Sequence, residues 1–198
     1  MPIKLAAVIL ALLLTVTAAQ AQKLSGMGAN IYGNYFNFTK ANLEKAPISA
    51  IQVGNLKVQL QKTRLVDVQK KFGGTIMAAG ESRWLCYHTD NANTWFLSNP
   101  LGGYEFVMMV ASESSNRNPA DCEAAPEDFA LPDYGIPGLG ASMADLKAAF
   151  GAAAGSKIAY RADRPGGYAD IAQYIGYVLS GSKVTGIGVG ETSVPTVH

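Results

Sequence analysis

Apolar and polar residues alternate over residues 48–60. Ile51 and Val53 precede a Gly54-Asn55 turn, and Leu56, Val58 and Leu60 follow it. A period of two predicts a half-buried strand or hairpin. The period then lengthens. Leu65, Val68 and Phe72 fall at i, i+3 and i+7, with Arg64, Gln69, Lys70 and Lys71 on the other side. That is one apolar stripe of an amphipathic helix. Thr63 offers an oxygen to the free amides at its start. Lys70 and Lys71 suit the negative end of its dipole, and Gly73 supplies a left-handed stop. Residues 82–88, 94–98 and 104–110 are then rich in aromatic and branched side chains, with turn residues at 90–91 and 99–103. Three such runs in succession predict an antiparallel meander.

The same order of periods returns after residue 138. Ser142 and Asp145 make a capping-box-like start, Leu146 and Phe150 face inward, and Gly151 ends the helix. Residues 157–161, 171–180 and 183–189 give three more strands. The helices align through Asp67-Val68 with Asp145-Leu146 and Phe72-Gly73 with Phe150-Gly151. The strands align through Phe96-Leu97-Ser98 with Val178-Leu179-Ser180. We therefore expect an α+β fold of two tandem repeats, residues 48–112 and 139–198, each a short helix followed by a three-stranded meander. Residues 113–138 between them are proline-rich and acidic and read as a connector without elements. Residues 22–47 mix Gly and Asn with Tyr32, Tyr35, Phe36 and Phe38 and read as an irregular arm packed on the body.

A polar cap, an Asp-aliphatic pair, an aromatic-Gly helix end and a meander together resemble the repeat of β-lactamase inhibitory proteins. They also resemble the related SmpA/OmlA-type outer-membrane assembly lipoproteins. The resemblance covers residues 48–112 and 136–190. It implies helices on one face of the sheet and a protein partner on the other. This chain lacks the lipidated cysteine of the lipoproteins, and its second repeat lacks the disulfide of the inhibitors.

Part of the 48% hydrophobic content sits at the start. Lys4, the apolar run of residues 5–14 and Ala19-Gln20-Ala21 read as a cleaved export signal over residues 1–21. The run falls short of the ~20 apolar residues of a stable anchor. Periplasmic or secreted localisation follows, with no stable membrane anchor after cleavage. In such a compartment the only two cysteines, Cys86 and Cys122, are expected to pair. A net charge of +1 without a basic cluster leaves a nucleic-acid partner no electrostatic footprint.

Candidate chemistry is sparse. Cys86 and His88 share a strand face and could be nucleophile and base, but pairing of Cys86 removes the thiol. Asp90 would extend them to a metal site, with no second ligand cluster to complete it. The glycines at 186, 188 and 190 lack a phosphate-binding lysine and read as a strand closely approached by other backbone. Glu127 and Asp128 read as solvated loop acids. We expect no catalytic residues, no metal and no cofactor. Aromatic residues carry the binding expectation: Trp84, Trp95, Tyr104, Tyr168 and Tyr174 lie on or beside strands, and Trp and Tyr anchor protein interfaces. Alternation puts Trp84, Cys86 and His88 on one face of their strand and Arg83, Leu85 and Tyr87 on the other. The facing of residues 171–180 stays open. The leading expectation is a non-catalytic protein-binding module, including inhibition of an enzyme by steric occlusion, that uses an open sheet face. The alternatives are an envelope-assembly module binding outer-membrane proteins and, behind it, a small exported hydrolase using His88.

Overall fold

The computed structural model describes residues 23–195; the export signal read over residues 1–21 and the terminal His198 lie outside the described residues. In chain order the elements are α1 (Gly26–Tyr32), the hairpin β1 (Ile51–Val53) and β2 (Leu56–Val58), and α2 (Leu65–Phe72). Strands β3 (Met77–Ala79), β4 (Ser82–Thr89), β5 (Ala92–Ser98), β6 (Met109–Ser114) and β7 (Glu123–Ala124) follow. Then come α3 (Met143–Phe150), β8 (Lys157–Arg164), β9 (Asp170–Ser180) and β10 (Lys183–Val194). The fold is α+β. One eight-stranded sheet runs in the order β3-β4-β5-β6-β10-β9-β8, with β7 pairing parallel to β4 beyond β3. Its other pairings are antiparallel. At the central seam, β6 and β10 bring Val110 opposite Val189. No helix of the described residues is long and apolar enough to cross a membrane.

The two helices read from the apolar period form where expected and share one face of the sheet. Leu65, Val68 and Phe72 of α2 and Leu146 of α3 join Leu85, Tyr87, Phe96, Ile175, Tyr177 and Ile187 in one core. Gly73 and Gly151 close the helices with φ of 76° and 77°. The α3 start is reciprocal: the Ser142 amide donates to Asp145 Oδ2 at 2.7 Å, and the Asp145 amide donates to Ser142 Oγ at 3.2 Å. Those bonds from the Ser142 amide and then its hydroxyl hold the Asp145 carboxyl below its ordinary value of 3.8. At α2 the start differs from expectation. Arg64, not Thr63, is the N-cap, and Asp67 Oδ2 accepts from the Arg64 amide at 3.0 Å. Thr63 Oγ1 instead accepts from the Gln59 amide at 2.9 Å and closes the turn after β2.

The opposite face is not open. Leu24, Met27, Ile31 and Phe36 of the arm cover Trp84, Cys86, Trp95 and Leu97 in a second core. The arm that composition marked as irregular therefore contains a helix, and one helix lies on the face the resemblance left for a partner. The glycines of β9 and β10 make this packing possible. Gly176 and Gly188 are register partners. A methyl on Gly176 would stand 2.5 Å from the Phe36 ring, and one on Gly188 would stand 2.9 Å from Ile31. The glycine-rich strand is thus a trough filled by side chains of the arm.

Two other elements depart from the sequence reading. Residues 104–108 do not extend a strand. A 3-10 turn at Pro100–Gly102 and left-handed φ at Gly103 and Tyr104 delay β6 to Met109. Within the connector, Glu123–Ala124 forms the short β7. The rest of the connector packs Tyr134 into the helix-side core, where its hydroxyl meets Ser112 Oγ at 2.9 Å.

Candidate functional site

Cys86 and Cys122 are joined in a disulfide across a separation of 36 residues. The Cys86 thiol is consumed, so His88 has no sulfur nucleophile beside it. His88 Nδ1 instead meets Asn93 Oδ1 at 2.6 Å. No cluster of three His, Cys, Asp or Glu side chains in metal-holding geometry occurs among the described residues. Asp128 pairs with Lys71 of α2, which ties the connector to that helix.

The aromatic candidates divide. Trp84 and Trp95 are fully buried under the arm, and Trp95 Nε1 donates to Asp121 Oδ2 at 3.1 Å. Each belongs to the core and is not presented to a partner in this conformation. Their cover is tied down by two carboxylates. The Met27 amide donates to Glu113 Oε2 at 2.8 Å, and the Ser25 amide and hydroxyl donate to Asp121 at 3.1 and 2.6 Å. Asp121 adjoins Cys122, so the disulfide fixes the loop whose carboxylate receives the start of α1. Tyr174 is 7% exposed, Tyr104 is 40% exposed and Tyr168 is fully exposed.

Tyr104 and Tyr168 stand at one end of the large sheet. The register that pairs Arg83 with Ser98, Leu97 with Met109 and Gly190 with Tyr174 brings three connections together there. These are the β3–β4 turn, residues 99–108 and the β8–β9 loop. Leu101 is 60% exposed and Val66 44%. Val66 joins this end because the Leu65 amide donates to the Glu105 carbonyl at 2.7 Å. The Arg83 guanidinium lies 4.8 Å from the Tyr104 ring centre, and Arg64 pairs with Glu105 at 3.2 Å. The end therefore presents apolar and aromatic side chains beside two arginines. Leu101 lies in the turn read at 99–103 and Val66 lies off the apolar stripe of α2, and no period marks an exposed apolar side chain as a surface group.

Two cavities open near this end. On the helix side, one of about 340 Å³ is lined by Ile48, Leu60, Lys62, Arg164 and Glu191. Its buried carboxylate is well partnered. Glu191 accepts from Gln61 at 2.9 Å, Gln173 at 3.0 Å and Arg164 at 3.2 Å. Gln173 also bonds both backbone groups of Ile48. The network thus anchors the entry to the β1–β2 hairpin.

On the arm side, a cleft of about 270 Å³ lies at the C-terminal end of α1. Tyr32, Phe38, Asn99, Met109, Tyr174 and Thr192 line it. The rings of Phe38 and Tyr174 stand 4.8 Å apart. Tyr174 lies over Gly190, where an added methyl would stand 2.5 Å from its hydroxyl. That hydroxyl has no hydrogen-bond partner among the described residues. Burial pushes it above its ordinary value of 10.0, and the charge of Glu191 adds to the shift. No protein-family model matches this chain, and comparison with curated proteins and with solved structures found no match either.

Proposed function

We propose that this chain is an exported, non-catalytic protein-binding module that engages its partner through the loop end of the large sheet. The observation that carries the reading is the exposure of Val66, Leu101 and Tyr104 beside Arg64 and Arg83, with Tyr168 exposed at the same end of the sheet. Tyr and Arg anchors on a preformed surface bind at little ordering cost. Inhibition by steric occlusion is the form that suits such an end. Export to the periplasm or beyond is supported by the residue 5–14 apolar run and the Cys86–Cys122 disulfide. Duplication is part of the proposal. Its support is that α2 precedes β4-β5-β6 and α3 precedes β8-β9-β10, with the last strand of each set meeting at the seam.

The test is capture by the oxidised chain of proteins from its own envelope and medium, compared with a Leu101→Ser/Tyr104→Ala/Tyr168→Ala variant. Capture of one soluble enzyme at equal stoichiometry is expected, weakened by about 2 kcal/mol or more in the variant. Capture unchanged by these substitutions would sink the loop-end surface. Enrichment of outer-membrane proteins would move the reading to envelope assembly.

A further inference from the structure

We infer that the cleft at the C-terminal end of α1 binds one neutral, hydroxyl-rich ring: a hexose, either free or at the end of a glycan. This goes beyond protein docking and stands without it. The cleft is partly open to solvent. Its volume of about 270 Å³ lies just under the roughly 300–1,000 Å³ of sites for drug-sized ligands. A single ring fits where a longer chain would project.

The lining chooses the chemistry. Tyr32, Phe38 and Tyr174 give aromatic surface, and Ile31 and Met109 give apolar surface. Asn34, Asn99, Thr192 and the two tyrosines give amide and hydroxyl groups. No Asp, Glu, Lys, Arg or His is among the lining residues, so a charged ligand would lose its hydration without gaining a counter-charge. A flat hydrocarbon would cover the rings but leave the polar groups unanswered. A sugar has both faces of the match. Its C–H side lies on an aromatic ring, and its hydroxyls both donate and accept.

The Tyr174 hydroxyl is the sharpest pointer. It belongs to a side chain only 7% exposed, it borders the cleft, and it has no protein partner among the described residues. Among the described residues the buried side-chain atoms left without a partner are Trp84 Nε1 and Ser98 Oγ, so the Tyr174 hydroxyl is open to the cleft and free to bond what enters it. Asn99 is half committed: its Oδ1 accepts from the Gly102 amide at 3.2 Å, which orients the side chain and leaves its NH2 free to donate. Gly190 completes the site by allowing the Tyr174 ring to lie flat across β10.

Saturation-transfer NMR on the oxidised chain tests this. The probes are methyl β-D-glucopyranoside, methyl β-D-galactopyranoside and methyl α-D-mannopyranoside. Lactose represents a chain end, and glucuronate, glucosamine and indole serve as controls. At least one neutral glycoside should bind, with a dissociation constant on the order of 1 mM. Lactose binding more tightly than the methyl galactoside assigns the site to a glycan end, and the reverse assigns it to free sugar. Tyr174→Phe and Thr192→Val should each weaken binding roughly fivefold, with the thermal unfolding midpoint unchanged, because each removes only a hydroxyl unbonded within the described residues. Three results overturn the inference: no neutral glycoside receives saturation, indole or a charged sugar binds best, or Tyr174→Phe binds as the parent chain does. Each is independent of whether a protein partner is captured.

Discussion

Gly176 and Gly188 face each other across the β9–β10 ladder, and each carries a side chain of the arm where a methyl would go. Alanine in place of glycine ordinarily stabilises a strand by restricting the unfolded chain. Here the sign reverses. Gly176→Ala drives a methyl into the Phe36 ring and is expected to cost about 1–3 kcal/mol by chemical denaturation. The same change in a Phe36→Ala background should cost much less, because the two residues share one space. Equal costs in both backgrounds would remove the trough explanation. The β10 glycines read from the sequence as sites of close approach by backbone; the approaching groups are side chains, and Gly176 of β9 shares the role without having been read. The identity of the approaching groups was not legible. Met27, Ile31 and Phe36 lie far away along the chain, and no local pattern links them to β9 or β10.

Element by element, legibility followed locality. The β1–β2 hairpin, α2, α3 and the β9–β10 hairpin were readable because their apolar periods and turn residues act within a few positions. Alternation also divided Trp84 and Cys86 from Leu85 and Tyr87, as the two cores do. Helix α1 escaped because its seven residues, GMGANIY, hold two glycines and too short a stripe. Its stability comes from Glu113, Asp121 and the face it covers. This coupling gives the disulfide a second role. Replacing Cys86 and Cys122 by alanine should cost about 3–4 kcal/mol through the 36-residue loop alone. It should also free the segment carrying Asp121, so Trp95 fluorescence should shift to the red before global unfolding. A single transition with no early shift would show that α1 holds its place without the bridge.

At the scale of the whole molecule, tyrosine hydroxyls stitch the layers together. Tyr87 donates to the Gly73 carbonyl at 2.8 Å, and Tyr177 donates to the Pro137 carbonyl at 2.7 Å. Burial pushes Tyr87, Tyr134, Tyr174 and Tyr177 above the ordinary 10.0. The folded chain therefore keeps protons that the unfolded chain releases. The stability they contribute is full below pH 10 and is lost as pH rises above it. An alkaline titration should show part of the tyrosinate absorbance arriving in one step with the loss of near-ultraviolet circular dichroism. Smooth titration of all nine tyrosines while the fold persists would contradict this. The arm-side cleft was the least legible feature. It draws on residues 31–38, 99, 109, 174 and 192, and none of these segments carries a motif alone. The trough on β9 and β10 also sets a schedule for biosynthesis. The arm is made first, but its seat is complete only when the last strand has been made. At ordinary rates of translation that interval is roughly 10–30 s. During it the apolar side of α1 has no native partner, and Met27 and Ile31 stay uncovered until β10 is complete.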